Sequence, residues 1–444
     1  MAIFKLNGVH LKHCKNTAGR RPERIGIPKT VTIPMSMHIG APAKPVVKIG
    51  DAVKVGQLIG EAGVGLSVPV YSSVSGKVKK IDELINIAGS HVQTIVIESD
   101  GEQSLCETVA PYEVNTREEF LDALCKSGIV GLGGAGFPTI VKLRADVAKV
   151  DTLLVNGAEC EPYITSDTRT MIDDADTVAD GIRLIARFLE IKNIVIGIER
   201  NKPECIASMK KAIADIEGAS VKVLPSVYPQ GGEKVLVYHA LGRTIKEGAL
   251  PLDCGVIVMN CTTVATVSRF IRTGMPLVEK CITVDGSAIK EPKNVIAPIG
   301  TPVADLAAFC GGFCEEPKKV LYGGPMMGIA LADLEAPVLK QTNAVLFFGK
   351  KEATPPKVTP CIKCGRCVNH CPFGLDPVEI SKAYKANDPE TLEKLKVNLC
   401  MECGCCSYVC PARRNIVQRN KMAKTMLRDY QMEKKKREEA KKNG

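Results

Sequence analysis

Eight cysteines near the C-terminal end carry the clearest chemistry in this sequence. Cys361, Cys364, Cys367 and Cys371, followed by Pro372, form a C-x2-C-x2-C-x3-C-P run, and Cys400, Cys403, Cys406 and Cys410, followed by Pro411, repeat it at the same spacing. Such runs bind 4Fe-4S clusters. Tight loops set three thiolates around one face of a cubane, while the fourth, leaving the loop on a short helix, reaches the other cluster. That crossing assigns Cys361, Cys364, Cys367 and Cys410 to the first cluster and Cys400, Cys403, Cys406 and Cys371 to the second, and leaves Cys405 over. Paired CxxC units also bind zinc, but ordinarily across a longer loop and without three-cysteine runs closed by Cys-Pro. Two clusters side by side imply a relay that shortens each electron hop. The ten remaining cysteines, from Cys14 to Cys314, read as small buried hydrophobes.

A second set of residues is weak singly and gains weight from company. GIVGLGGAGFPTIVK (128–142) offers Gly131, Gly133, Gly134 and Gly136, whose backbone N–H groups could close around a phosphate, although the run lacks the GxGxxG form. LLVNGAECEPYIT (153–165) ends a strand in paired acids, YPQGGEK (228–234) is a glycine-acid turn, and VMNCTTVAT (258–266) ends another strand in polar residues. Glu159 and Glu161, taken alone, read equally as solvated loop acids. In order and spacing the four segments resemble the flavin subunit of respiratory complex I and its relatives. That resemblance implies that Gly131, Gly133, Gly134 and Lys142 cradle the phosphate and ribityl chain of a noncovalent FMN. It also implies that Asn156, Glu159, Gly232, Glu233, Asn260 and Thr263 contact the ribityl and isoalloxazine. Phe137 and Glu161 would then serve the nicotinamide of NADH, by stacking and by accepting hydrogen bonds. Two positions depart from the pattern: Leu132 stands for an expected Arg and Ala158 for an expected acid.

The elements that must position these groups can be read along the chain. At 444 residues several domains are expected rather than one core. Residues 46 to 82 alternate valine and isoleucine between glycines and resemble a biotinyl/lipoyl-type hammerhead. The swinging-arm lysine would fall near Gly65, and no lysine lies between Lys54 and Lys77, so the resemblance implies fold without carrier function. From about 111 to 276, strand candidates Thr152–Val155, Asn193–Ile198, Val221–Leu224 and Val256–Met259 alternate with helical patterns Ala179–Glu190 and Pro203–Ile216. This predicts a wound α/β domain with its ligand crevice at the strand ends. Residues 277 to 330 resemble a soluble ligand-binding β-grasp module, and KKEATPPKVTP (350–360) reads as a linker.

With the opening motif GVHLKHCKNTAGRRPERIGIPKT added, the whole chain resembles the C subunit of Rnf electron-transport complexes. His10, Lys12 and His13 in that motif read as structural. The implied fold is a multidomain α/β chain in five parts: an N-terminal region with a β hammerhead (barrel-sandwich hybrid, 1–110), a wound α/β FMN/NADH domain (111–276), a β-grasp module (277–349), a C-terminal α-helical two-cluster ferredoxin-like domain (350–415) and a basic helical tail (416–444). The implied role is a peripheral NADH-oxidising or NAD-reducing subunit at the cytoplasmic face of the cell membrane. Electrons would pass between NAD(H), FMN and the clusters, and partner subunits would couple the transfer from ferredoxin to Na+ or H+ translocation. A cobalamin reductase shares the flavin, β-grasp and cluster parts, and a non-catalytic wire or scaffold would follow if the flavin site proved empty. The related Na+-pumping quinone reductase lacks the cluster cysteines.

Charge and composition narrow the partners. From Arg413 to Gly444 there are twelve Lys or Arg and four Asp or Glu, so this segment supplies +8 of the +10 net charge. With aromatics at 4% and no Trp, nucleic acid is not expected as a partner. The opening MAIFKLNGVH shows no signal peptide and no apolar run is long enough to span a bilayer, so a reducing compartment and peripheral attachment are expected. The tail should be a helix that aids docking to anionic headgroups or an acidic partner, with no part in electron transfer. Anaerobically purified protein should contain about eight irons per chain, as two cubanes require. Cys364→Ala should remove one cluster and leave the α/β domain folded; zinc in place of iron after anaerobic reconstitution would overturn the assignment.

Overall fold

Four apolar runs, Thr152–Asn156, Asn193–Glu199, Ala219–Leu224 and Val256–Asn260, form the central sheet of this computed structural model, which describes residues 7–85, 89–144 and 146–442. Expectations for the first six residues, for 86–88 and 145, and for the last two of the tail fall outside the described residues. The sheet is wholly parallel, in the order Ala219–Leu224, Asn193–Glu199, Thr152–Asn156, Val256–Asn260. Helices cover both faces, so Leu153, Leu154, Val155, Ile196, Ile257 and Val258 are all buried and the strands read as continuous hydrophobic runs. The helices Ala175–Phe188 and Cys261–Thr273 pack together at Gly181, where a Cβ would stand 2.2 Å from the Val264 carbonyl oxygen. The winding reverses between Thr152–Asn156 and Val256–Asn260. Asn156 and Asn260 are paired in register at that switch point, where open α/β sheets form their ligand crevice.

Two β units flank this domain and hold its glycine-rich loop. Strands Thr30–Pro34, His91–Ser99, Gly76–Ile85 and Ala52–Val53 make one N-terminal sheet, and Lys44–Pro45, Leu58–Glu61 and Val70–Tyr71 a second. They share a core of Val31, Ile33, Met35, Ile59, Val70, Ile95 and Ile97. A six-stranded sheet follows, ordered Glu23–Arg24, Lys293–Pro298, Glu279–Asp285, Ala344–Phe348, Lys319–Tyr322, Ile329–Ala330. The opening motif therefore contributes an edge strand to the later module. His10, Lys12 and His13 are exposed; the anchor of the motif is Lys15, whose Nζ donates to the carbonyls of Glu159 (2.9 Å), Glu161 (2.8 Å) and Ile164 (2.5 Å). Lys340, fully buried, donates to Pro69 and Gly128 carbonyls at 2.8 Å each and so ties the two β units to the start of the glycine loop.

The cysteine runs fold as a two-fold repeat. Lys363 and Glu402, Gly365 and Gly404, and Gly374 and Arg413 occupy matching positions, and all six have left-handed φ between 52° and 79°. One-turn helices Arg366–Asn369 and Cys405–Tyr408 follow the matched glycines. Each repeat then runs into a longer helix, Pro377–Lys385 or Ile416–Lys442. Ile416, Val417, Ala423 and Leu427, beyond the division expected at 415, are buried with Cys367, Cys406, Leu375, Ile380 and Leu392, so the first half of the tail packs against the cysteine repeats. Ile416, Val417, Met422, Met426, Leu427 and Tyr430 offer a sparse apolar stripe at helical spacing in the sequence, but spacing alone does not say what such a stripe packs against. Of the ten other cysteines, Cys205, Cys261 and Cys310 are buried as expected, six are half-buried and Cys314 is exposed.

Truncation after Arg414 removes those buried side chains, each of Ile416, Val417 and Leu427 worth about 1.5–3 kcal/mol of burial, and should abolish both clusters. Truncation after Gln431, beyond which the described side chains are exposed, should keep full iron content; iron analysis of the two proteins checks this.

Candidate functional site

The glycine loop is pinned at its ends and open at its tip. Gly131 N–H donates to the Phe137 carbonyl at 2.7 Å and Gly136 N–H to Gly131 at 3.2 Å. Leu132 N–H donates to Thr263 Oγ1 at 2.9 Å, while Ile39 N–H from the N-terminal sheets meets the Gly136 carbonyl at 3.0 Å. Gly133, Gly134 and Ala135 are exposed at the rim, and among the described residues their N–H groups have no acceptor. A Cβ on Gly133 would stand 3.3 Å from Asn260 Nδ2, and Gly134 takes φ +109°, so both positions favour glycine and leave their N–H groups bare. Bare N–H groups of this kind suit a phosphate.

The polar strand ends converge on it. Asn260 caps the helix Cys261–Thr273 by accepting from Thr263 N–H at 3.1 Å and donates to Asp167 Oδ2 at 2.7 Å. Asn156 donates to the Gly231 carbonyl at 2.9 Å and accepts from Ala158 N–H at 3.1 Å. Lys142 Nζ bridges Glu233 Oε1 at 2.7 Å and the Val258 carbonyl at 2.9 Å, and stands 5.8 Å from the Phe137 ring centroid. Gly131, Gly133, Phe137, Lys142, Asn156, Gly232, Glu233, Asn260 and Thr263 thus gather at the switch point.

Neither acid after the strand is a solvated loop residue. Glu159 is buried and accepts from Asp167 N–H (2.8 Å), Thr168 N–H (3.3 Å) and Thr168 Oγ1 (2.7 Å), with Lys15 Nζ at 4.0 Å. Its carboxylate sits at the N-terminus of the helix Ser166–Asp173, where the helix dipole favours it. Both side-chain oxygens are turned inward, away from the loop. Glu161 points the other way, toward the loop 323–328 that joins two strands of the six-stranded sheet, and accepts from Met326 N–H (3.1 Å) and Met327 N–H (2.8 Å). Burial pushes its carboxyl up to about 7, against the pull of those two donors.

The second cysteine loop lies against this same edge. Tyr228 Oη, close to Glu161, donates to the Cys403 carbonyl at 2.7 Å. A Cβ on Gly232 would meet Met401 Cε at 2.5 Å, and one on Gly404 would meet the Met326 carbonyl at 2.9 Å. Val9, Tyr228, Cys403 and Cys405 are packed together with Met326 and Met401. Cys371, Cys400, Cys403, Cys405 and Cys406 line one cavity, and all but Cys405 belong to the set that the crossed pairing puts together. Cys410 approaches Cys367 across the repeat, and Lys363 N–H donates to Cys361 Sγ at 3.4 Å. No three His, Cys, Asp or Glu among the described residues converge as ligands of a single ion. Cys361 and Cys364 are exposed while Cys403 and Cys406 are buried, so the second set is the inner one.

Sequence reasoning missed Lys280, Tyr228 and the loop 323–328. Lys280 on the strand Glu279–Asp285 is buried and donates to the Leu132 carbonyl at 3.1 Å, placing an ammonium beneath the glycine loop. Burial lowers its pKa. The only signal was a lysine in an otherwise apolar strand.

Four stretches of the chain match known families: the RnfC barrel sandwich hybrid domain over residues 4–102, the Nuo51 FMN-binding domain over 124–269, the SLBB domain over 281–330 and the 4Fe-4S dicluster domain over 357–425. Over 382 residues, 84% of this chain and 83% of the relative, it is 43% identical to the C subunit of the proton-translocating ferredoxin:NAD(+) oxidoreductase complex of Clostridium ljungdahlii. It is 42% identical over 387 residues (86% and 87%) to the C subunit of the Na(+)-translocating ferredoxin:NAD(+) oxidoreductase complex of Acetobacterium woodii. To the C subunit of the ion-translocating oxidoreductase complex of Rhodobacter capsulatus it is 41% identical over 441 residues (96% and 84%). Among solved structures, an NAD+-reducing [NiFe]-hydrogenase in the air-oxidised state shares the fold, with a TM-score of 0.51 at 17% identity over 70% of this chain and 63% of that one.

Lys280→Met keeps the length of the side chain and removes the donor under the glycine loop. Losing that charged hydrogen bond, worth about 1.4 kcal/mol or more, should weaken FMN binding about tenfold and speed hydrogen exchange at residues 131–136. Unchanged FMN affinity and exchange would deny the ammonium any part in the site.

Proposed function

Because the chain belongs to the family of C subunits of ion-translocating ferredoxin:NAD(+) oxidoreductase complexes, we propose that it is the subunit at which such a complex exchanges electrons with NAD(H). It works as a peripheral protein on the cytoplasmic face of the membrane, and its partner subunits couple the transfer to movement of Na+ or H+. Among the described residues no helix is long and apolar enough to cross a membrane. The observation that carries the reading is the shared edge of the crevice and the inner cysteine loop, where Tyr228 bonds Cys403 and Met401 fills the space over Gly232.

FMN, when bound, accepts the electron pair of a hydride and releases it singly to 4Fe-4S clusters, which carry one electron each. The chain's residues divide the supporting tasks. Gly131, Gly133 and Gly134 offer backbone N–H groups to the phosphate and ribityl chain, with Lys142 and the buried Lys280 supplying positive charge. Asn156, Gly232, Glu233, Asn260 and Thr263 line the crevice. Glu159 acts as a positioning residue: it fixes Asp167, which in turn holds Asn260. Phe137 stacks with the nicotinamide. Glu161 accepts from NADH, and to do so it must share or release the N–H groups of Met326 and Met327. Cys371, Cys400, Cys403 and Cys406 hold the cluster beside the crevice, and Cys361, Cys364, Cys367 and Cys410 the outer one, nearer a partner.

NADH added anaerobically to flavin-loaded protein should bleach the flavin absorbance first and the clusters after it. Flavin-loaded protein that NADH leaves oxidised would overturn the proposal, and protein unable to take up FMN would favour a scaffold. A carboxyl that burial pushes up to about 7 is neutral below that pH and a charged, stronger acceptor above it. The apparent KM for NADH should therefore fall as pH rises through 7, and Glu161→Gln should remove this step while FMN stays bound; a loss of both FMN and NADH reduction would assign Glu161 to the flavin instead.

A further inference from the structure

The two cysteine repeats are alike in backbone and unlike in what faces their sulfurs. Asn420, twenty residues after Cys400 on the helix Ile416–Lys442, is 1% exposed, and its Nδ2 is directed at Cys400 Sγ at 3.9 Å, within the longer reach of a sulfur acceptor. It lines the same cavity as Cys371, Cys400, Cys403 and Cys406, and its Oδ1 has no hydrogen-bond partner among the described residues. The neighbouring turn of the helix grips the same loop, with Lys424 Nζ on the Cys400 carbonyl at 2.9 Å and on Glu402 at 2.6 Å. The residue that occupies this place after Cys361 is Ser381, whose hydroxyl faces Arg419 Nη1 at 3.3 Å. A buried amide with one unpaired oxygen is unfavourable in a hydrophobic seam. Its remaining contact is with a cysteine sulfur.

We propose that Asn420 is a positioning residue for the inner cluster, donating its amide N–H to the Cys400 thiolate and thereby raising that cluster's reduction potential above the value its buried site would otherwise set. The inference rests on the two-cluster reading above. Reduction adds one electron to the cluster and makes or breaks no bond in the chain. The added negative charge spreads onto the cysteine sulfurs, and an N–H dipole aimed at one of them stabilises the reduced form. Burial works in the opposite sense, because an apolar surround disfavours added charge. Among the described residues, no side-chain amide is directed at a sulfur of the outer set, so the effect falls on one cluster of the two.

The test uses the full chain, purified anaerobically, titrated with dithionite and followed by electron paramagnetic resonance. Iron and sulfide counts come first: wild-type protein short of two clusters overturns the cluster reading itself, independently of Asn420. With two clusters present, Asn420→Leu, of similar volume and without a donor, should keep the iron and lower one midpoint potential while the other stays in place. Two unchanged midpoints at full iron content would overturn the proposal. Should the leucine variant lose iron, wild-type protein carrying 15N only in its asparagine side-chain amides decides the matter. A 15N hyperfine coupling to a reduced cluster is expected in pulsed spectra, and its absence would show that the amide merely packs.

Discussion

A chain of polar groups joins three parts of this protein: the Met326 and Met327 N–H groups of the loop 323–328 in the six-stranded unit, the Glu161 carboxylate, the Tyr228 hydroxyl and the Cys403 carbonyl. Each link is modest, about 1 kcal/mol for an ordinary buried hydrogen bond and more for one to a charged group. Their value lies in geometry. A carboxylate taken this far out of water needs both its donors, and it receives them from a separate module, so the crevice edge is complete only when the module is docked. Gly324 and Gly404 make the close approach possible, since a Cβ on Gly324 would stand 2.2 Å from Glu161 Oε2. The inner cysteine loop is thereby held against the crevice rather than tethered near it.

The same dependence appears under the glycine loop. Its tip must be bare of side chains to present N–H groups, and a bare loop is floppy unless held from behind. Thr263 holds it from the first turn of the helix Cys261–Thr273, Ile39 from the N-terminal β unit and Lys280 from the six-stranded sheet. Leu132 has no charge to offer an anion, but its carbonyl is where a buried ammonium enters from another module. A positive charge absent from the loop's own sequence is restored by packing.

In the cluster domain, helices shorter than three turns cannot bury two cysteine cages alone. The helix Ile416–Lys442 supplies the missing wall in its first half and extends as an exposed basic rod in its second. One element thus serves two environments, and basic residues lie on its packed and its exposed half alike.

What the sequence determined by itself was whatever depends on spacing within one segment. The twin cysteine runs declared an iron-sulfur domain, because ligand loops are local. The four strands and their alternation with helices were legible to within a few residues, because parallel strands buried on both faces are continuous apolar runs, whereas the meeting of Gly131, Asn156, Gly232 and Asn260 was implied only by the resemblance to flavin subunits. Tertiary structure decided which of these groups face a ligand. Glu159 and Glu161 are two residues apart and look alike in sequence, yet one is spent on a helix N-terminus and the other on a loop more than a hundred and sixty residues away. Lys280, Lys15 and Asn420 were silent in the sequence, since a single polar residue in an apolar element has no periodicity to betray it. Each draws its role from a partner that only folding brings within hydrogen-bond reach.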